Sequence, residues 1–312
     1  MRPQIDRQTT LADQVTLTGI GVHSGKPASI TLVPADAGTG IIFQRTDVED
    51  AAEIPGQWDR VTQTSLQTVL GDPSKNGMST VEHLMAALRG MGVDNLIVEI
   101  DGPEMPIMDG SGAVFVEAID QVGLKALDRG RRYLRIKKAV RVDAGNAWCE
   151  LEPYQGSYFD ITIDFEGDLI GRQRFAFDLT PDVFRRELSR ARTFGNVKDV
   201  EQLWKMGFAL GSSLENSVAI SNDKVLNPEG TRWADEFVRH KALDAVGDLA
   251  LAGLPILGLY RSYKGGHKMN HAVLVKLFQD KEAFEVVEAP MFRQAGHAET
   301  VGVSATLAPD VG

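Results

Sequence analysis

The chain has 312 residues, a formal net charge of −10 and one cysteine, Cys149. This length exceeds what one hydrophobic core usually supports, so two domains are expected, and the acidic balance argues against a nucleic-acid-binding surface. A lone cysteine excludes an internal disulfide and a thiolate zinc cage, so any metal must use histidine and carboxylate ligands. No segment reaches the ~20 apolar residues of a membrane span, and a cytoplasmic protein is therefore expected.

The first half of the chain opens with strands. Residues 15–42 alternate apolar and polar side chains between glycine turns, which predicts antiparallel strands. Helices are predicted at 79–91 and 112–122, with a short buried strand at 96–101 between them. The basic, polar stretch LDRGRRY at 127–133 predicts a linker between two domains.

The second half repeats this order, with strands at 133–143, 147–153 and 158–165, a helix at 235–249 and a strand near 255–263. VEHLMAALRGMGVDNLIVEI and VRHKALDAVGDLALAGLPILGLY share Val-x-His, a helix, a glycine and an apolar strand, although similarity this weak also arises by chance. We predict an α+β fold of two similar domains, 1–126 and 127–312, related by internal duplication. Each would be a small sheet layered with helices, with the active site at their junction.

The helix at 235–249 carries His240, Asp244 and Asp248 at a spacing of four, framed on the same side by Phe237 and Leu251. Polar residues framed by apolar ones favour a face that is turned into a cleft. The alternative is an ordinary solvated helix pair at i, i+4. A histidine and a carboxylate one turn apart can bind the same Zn²⁺.

Two further histidines stand in informative surroundings. His83 follows Glu82 at the start of the first helix, and two histidines with one carboxylate are the ligands of a catalytic zinc site, in which Glu82 could activate water. Alternatively, Ser79 and Glu82 form a capping box and His83 is a packed histidine. His267 follows two glycines in SYKGGHKMNH and could be a general acid, or a solvated histidine in a glycine turn.

Taken together, these segments resemble one family, the zinc-dependent deacetylases of UDP-3-O-acyl-N-acetylglucosamine, which catalyse the committed step of lipid A biosynthesis. The resemblance extends over nearly the whole chain. It is carried by TGIGVHSG, STVEHLMAAL, GVDN, PIMDGSG, ARTFG, DEFVRHKALDAVGDL and YKGGH in that order. The ordered set is specific, whereas any one segment alone would be weak.

The resemblance implies hydrolysis of the N-acetyl group of the acylated UDP-sugar, with one Zn²⁺ bound by His83, His240 and Asp244. Glu82 would be the general base and His267 the general acid. Asp248 would orient His267, and Thr193 would hydrogen-bond the oxyanion. The substrate would be contacted by Lys241, Lys264, Phe194, Leu203 and Phe208.

In this family a fatty acyl chain occupies an apolar passage formed by an insert, here residues 195–220 with a short helix at Val200–Met206, although its apolar residues could equally be core. One departure is Gln67, which stands where some members have a cysteine near the metal. A monomer in the cytoplasm of a Gram-negative bacterium is expected, with at most transient membrane contact. Two alternatives stay open, namely a zinc amidohydrolase that acts on another acylated amino sugar and a non-catalytic module with a structural metal. The same ligand set could also hold Fe²⁺.

Overall fold

The computed structural model describes residues 6–222 and 224–289, so residues 290–312 of the predicted second domain lie outside the described part. The first half contains the strands β1 Arg7–Leu11, β2 Val15–Ile20, β3 Pro27–Pro34, β4 Ile41–Arg45, β5 Ile54–Pro55, β6 Val61–Gln63, β7 Val69–Leu70, β8 Met78–Ser79 and β9 Leu96–Ile100, and the helices α1 Glu82–Met91 and α2 Ala113–Val122.

The second half contains the strands β10 Leu124–Gly130, β11 Arg132–Ile136, β12 Val140–Ala144, β13 Ala147–Glu152, β14 Ser157–Asp164, β15 Arg172–Asp178, β16 Phe194–Asn196, β17 Val218–Ser221, β18 Lys224–Val225, β19 Ile256–Tyr263 and β20 Phe284–Glu288. Its helices are α3 Pro181–Val183, continued by a π-helical turn, α4 Val197–Lys205, α5 Glu236–Ala250 and α6 His267–Gln279. The predicted α+β fold is confirmed.

The two halves build their sheets with the same topology. The first sheet has the order β2-β3-β9-β4-β5, and the second contains the equivalent run β12-β13-β19-β14-β15. In each, the central strand is antiparallel to the preceding hairpin and parallel to the strand on its other side. A helix precedes each central strand and another follows it, so the topology supports the predicted duplication.

The central helices of the two halves pack directly against each other. At their crossing, a Cβ atom on Gly247 of α5 would lie 2.0 Å from the backbone oxygen of Glu82 in α1, so only glycine allows this approach. Leu84 of α1 and Val246 of α5 are fully buried. The close crossing brings the start of α1 beside the polar face of α5, where the predicted site residues lie.

The helix α1 begins later than predicted. Ser79 belongs to β8, and Thr80 has a φ of 58°, so helical geometry cannot begin before Val81. The Ser79 hydroxyl donates to Pro103 O, and no side chain caps the helix. The capping-box alternative is therefore wrong, and Glu82 is the first helical residue.

The stretch at 127–133 is strand rather than an irregular linker. β10 pairs with β1, and Arg131 Nε donates to Asp94 Oδ1 at 2.9 Å. One of the basic residues that indicated a solvated linker, Arg131, thus has a partner far away in sequence. The predicted boundary at 126/127 falls inside β10, and the division into domains stays a prediction.

No helix is predicted after residue 263, yet α6 begins at His267, directly after the glycines of YKGGH. The strand β20, which pairs with β11, is not predicted either. In the insert, α4 starts at Val197, three residues before the predicted Val200. Among the helices described, none combines the length and the apolar composition that crossing a membrane requires.

Candidate active site

His83, His240 and Asp244 form one buried cluster between α1 and α5. Their candidate ligand atoms lie within 4.8 Å of one another, and Asp244 Oδ1 stands 3.6 Å from His83 Nε2 and 3.3 Å from His240 Nε2. All three residues are at most 5% exposed. The alternative of a solvated helix pair is therefore wrong.

The ring of His240 has a fixed orientation. Its Nδ1 lies 3.0 Å from the carbonyl oxygen of Ala191, so the tautomer with hydrogen on Nδ1 donates this bond and leaves the Nε2 lone pair towards Asp244. Burial lowers the pKa of His240 to about 3, against the opposing effect of Asp244. The imidazole is therefore neutral at physiological pH, as a metal ligand must be.

Glu82 lies beside this cluster and is 3% exposed. Its Oε2 accepts a hydrogen bond of 3.1 Å from the backbone N–H of Thr68, and its Oε1 lies 3.8 Å from His267 Nε2. Burial raises the pKa of Glu82 above that of an ordinary glutamate, although the charges of His267 and His83 act in the opposite direction. A raised pKa makes the carboxylate a stronger base.

His267 faces Glu82 from the first turn of α6. Its Nδ1 lies 2.8 Å from Asp248 Oδ2, which leaves Nε2 directed towards Glu82. Burial lowers the pKa of His267, but the carboxylates of Asp248 and Glu82 outweigh it and raise the pKa to about 9. The imidazolium form therefore predominates at neutral pH.

Two residues that no sequence pattern indicated hold the carboxylate of Asp248. Thr68 Oγ1 donates to Asp248 Oδ1 at 2.6 Å, and Asn270 Nδ2 donates to Asp248 Oδ2 at 2.8 Å. Asn270 stands three residues after His267, so the two lie on the same face of α6. This spacing would have indicated a shared site only if a helix had been predicted there. Thr68 carries no local signal, because it is brought to the site by tertiary contacts alone.

Three further predicted residues lie around His240. Lys241 Nζ donates to Asp244 Oδ2 at 2.8 Å and stands 5.7 Å from the centre of the Phe194 ring. The Phe194 ring is also 6.2 Å from the His240 ring. Thr193 follows Ala191 by two residues, and its backbone bridges Gly110 and Val218. The position of its hydroxyl at a reacting oxyanion stays a prediction.

The remaining predicted residues contact other parts of the chain. Leu203 and Phe208 are half-buried in the insert, where Phe208 packs edge-on against His23 with ring centres 5.5 Å apart. Lys264 lies in the turn before α6 with a φ of 54°, and its backbone N–H bonds Thr162 O. Gln67 is buried and accepts from the Thr80 hydroxyl at 2.7 Å, so its amide is engaged there.

Comparisons with known proteins show which family the chain belongs to. The family model for UDP-3-O-acyl N-acetylglycosamine deacetylase, LpxC, matches residues 8–279. The chain belongs to the LpxC family. Similar proteins from Brucella ovis, Brucella abortus and Brucella melitensis, each named UDP-3-O-acyl-N-acetylglucosamine deacetylase, are 54% identical over 283 residues, which cover 90% of this chain and 99% of theirs.

LpxC enzymes are zinc-dependent, and the cluster in this LpxC chain fits a metal ion. Within the described residues, His83 Nδ1 and Asp244 Oδ1 are buried without a hydrogen-bond partner. A buried acceptor without a partner is costly, and a cation between the imidazoles and the carboxylate would satisfy Asp244 Oδ1. His83, His240 and Asp244 could therefore hold the ion.

Proposed function

We propose that this chain hydrolyses the N-acetyl group of UDP-3-O-(3-hydroxyacyl)-N-acetylglucosamine, giving UDP-3-O-acyl-glucosamine and acetate, the committed step of lipid A biosynthesis. Family membership supports the reaction. The observation that carries the mechanism is that a carboxylate and a cationic imidazole, Glu82 and His267, face each other at 3.8 Å beside the His83, His240 and Asp244 cluster.

The resident cofactor in this proposal is one Zn²⁺ held by His83, His240 and Asp244. Two histidines and one carboxylate are typical of catalytic zinc sites, which keep a further position open. When bound, zinc supplies Lewis acidity, which polarises an amide carbonyl and lowers the pKa of water towards neutrality. Lys241 supports the ligand set by holding Asp244 Oδ2, which leaves Oδ1 directed at the two imidazoles.

Glu82 acts as the general base. Its carboxylate takes a proton from the water that attacks the acetamide carbonyl, and burial strengthens it for this task by raising its pKa. The Thr68 N–H holds Oε2 in place. This leaves Oε1 free to receive the proton.

His267 acts as the general acid. With a pKa of about 9 it enters the reaction protonated, and Asp248 and Asn270 fix its orientation through one shared carboxylate oxygen. The Nε2 proton passes to the glucosamine nitrogen as the carbon–nitrogen bond breaks. The amine therefore leaves neutral, and acetate is the second product.

The surrounding residues position the substrate. Thr193 hydrogen-bonds the carbonyl oxygen as negative charge develops on it. Lys241 and Lys264 place positive charge near the nucleotide-sugar in a protein of net charge −10, and Phe194 packs beside the sugar.

The insert receives the acyl chain in this proposal. Leu203 and Phe208 line the passage, and exposed apolar side chains surround them, including Trp204 at 51% and Met206 at 63% exposure. Apolar side chains this exposed at the end of one short helix are typical of a surface that binds an apolar ligand.

The experiment is acetate release from the acylated UDP-sugar by zinc-loaded protein, beside Glu82→Ala and His267→Ala with their zinc content measured. We expect wild-type turnover and a loss of at least ~10²-fold in both variants with zinc retained. Arg239→Ala is the control for Glu82, because Arg239 directly precedes His240 as Glu82 precedes His83. His271→Ala, one turn further along α6, is the control for His267.

Inactivity of the wild type despite bound zinc would reject the named substrate and favour the alternative, a zinc amidohydrolase of another acylated amino sugar. Activity that survives in a zinc-replete Glu82→Ala protein would reject the assigned base. Cytoplasmic location, a monomeric state and transient contact with the inner membrane stay predictions, as does zinc over Fe²⁺ as the ion used in the cell.

A further inference from the structure

Glu104 is a buried carboxylate outside the catalytic set, 3% exposed, in the turn that follows β9. Its Oε1 accepts from the backbone N–H of His23 and its Oε2 from that of Ser24, both at 2.7 Å. The fit is close, because a Cβ on Gly21 would lie 2.2 Å from Oε2. One carboxylate therefore fixes the glycine-rich loop 21–25 through two charge-assisted hydrogen bonds.

This loop holds the end of the apolar insert. The carbonyls of His23 and Val22 accept from the N–H groups of Leu210 and Gly211, each at 3.0 Å. His23 Nδ1 accepts from Ala209 N at 3.4 Å, and the His23 ring packs on Phe208. The loop is thus bonded directly to the segment that lines the proposed acyl passage, so a shift of that segment would displace the loop.

Glu104 also reaches the start of α1. The single hydrogen of the Thr80 hydroxyl is shared between Gln67 Oε1, at 2.7 Å, and Glu104 Oε1, at 3.2 Å. Thr80 has left-handed backbone geometry, with a φ of 58°, and stands two residues before Glu82. A residue in this conformation is strained and is kept there by its partners, so the Glu104 contact helps to set where α1 and Glu82 begin.

We propose that Glu104 is a positioning residue that couples occupation of the acyl passage to the placement of Glu82. The path runs from Phe208 and Leu210 through the loop 21–25 to Glu104 and from there to Thr80. Through it, binding energy from the acyl chain contributes to the chemical step, so a longer chain raises kcat as well as lowering KM. This inference rests on the proposed function.

The kinetic test compares zinc-loaded wild type and Glu104→Gln with a 3-hydroxymyristoyl and a 3-hydroxybutyryl substrate. The amide keeps the shape but replaces one acceptor with a donor that faces a backbone N–H. We expect the variant to lose about tenfold more kcat with the long-chain substrate than with the short-chain one. Equal losses with both substrates, or equal wild-type kcat values, would overturn the coupling while leaving the deacetylase activity intact.

Two variants separate coupling from a general loss of structure. Asp94→Asn removes another carboxylate that holds a backbone N–H, that of Thr9 at 3.1 Å, just beyond the opposite end of α1. It should reduce kcat equally for both substrates. Gly211→Ala disturbs the same path from the insert side, because its Cβ would lie 2.3 Å from Gly21 O. It should reproduce the chain-length effect even if Glu104→Gln does not fold; if it lowers kcat equally for both substrates, the coupling is wrong.

A measurement without turnover keeps this inference separate from the proposed reaction. Hydrogen exchange is followed in zinc-loaded protein with 3-hydroxymyristate, which has no acetamide. In wild type we expect slower exchange at residues 209–211 and at Thr68, whose N–H reports on Glu82. In Glu104→Gln only residues 209–211 should respond. The same response at Thr68 in both proteins, or none in wild type, would refute the coupling.

Discussion

The helices α1 and α5 occupy equivalent places in the two halves but have acquired different chemistry. Both carry Val-x-His, with a glycine seven residues after the histidine, Gly90 and Gly247. In α1 the acid comes before the histidine, as Glu82. In α5 the acids come after it, as Asp244 and Asp248. The residue equivalent to Glu82 is Arg239, which is 12% exposed and pairs with Asp235 and Glu187.

This difference divides the work of the site between the halves. The first helix supplies one proposed metal ligand and the proposed base, whereas the second supplies two proposed ligands and the carboxylate that holds His267. The helix α5 is also longer, 15 residues against 10, and Asp248 lies where α1 is already ending at Met91. The two histidines thus stand at matching positions of the two helices, and the different residues that flank them form one site from two different helices.

The largest effect that tests this comparison is loss of the metal. We expect His83→Ala and His240→Ala each to weaken zinc binding by more than the ~10–100-fold typical of losing an outer partner, because each removes a direct ligand. A competition titration with a zinc chelator measures this. His271→Ala is the control, since that imidazole bonds Trp58 O away from the cluster. Wild-type zinc affinity in either variant would show that its histidine is not a ligand and that the two helices do not contribute equivalent ligands.

The paired glycines give the next largest effect. Both Gly247→Ala and Gly90→Ala should lower the free energy of unfolding by about 1–3 kcal/mol, because each overpacks a buried contact. The new Cβ would meet the Glu82 backbone at 2.0 Å in the first case and the Phe184 ring at 2.2 Å in the second. Only Gly247→Ala moves Glu82, so only it should also lower kcat.

Urea unfolding and kcat measured on the same preparations separate the two effects. Equal loss of kcat in both glycine variants would contradict the expectation that only Gly247→Ala displaces Glu82. It would mean that the helix crossing at Gly247 places Glu82 no more directly than the contact of Gly90 does.

A smaller effect concerns the pH profile. Activity should rise as Glu82, with its raised pKa, loses its proton and fall as His267 loses its proton near pH 9. Asp248→Asn removes a charge that favours the imidazolium, so the pKa of His267 falls and the alkaline limb should move to lower pH by at least ~1 unit.

Met91→Leu, at the equivalent position of α1, should leave both limbs of the kcat/KM profile unchanged, because it alters no charge. An alkaline limb that stays in place in Asp248→Asn would exclude His267 as the titrating acid.

Local patterns made much of the fold accessible. Alternation predicted β2, β3 and β4 of the first sheet, and an apolar run predicted β9, whereas the two-residue strand β5 was not predicted. The two central helices were also predicted. The predicted start of α1 and the predicted irregular linker at 127–133 were wrong, because Thr80 and Arg131 are held by contacts with residues far away in sequence. The helix α6 was missed because the glycines before His267 indicated a loop, and a glycine turn and the residue before a helix look alike in sequence.

The sequence by itself determined which residue types stand at helical spacing, namely an acid before His83 and acids one and two turns after His240, and these carry the family resemblance. Only the tertiary structure decided that α1 and α5 cross at Gly247, that Ala191 orients His240, and that Thr68 and Asn270 hold Asp248. The reason is physical: periodicity reports which face of an element is apolar, whereas a site depends on which faces meet and at what distance.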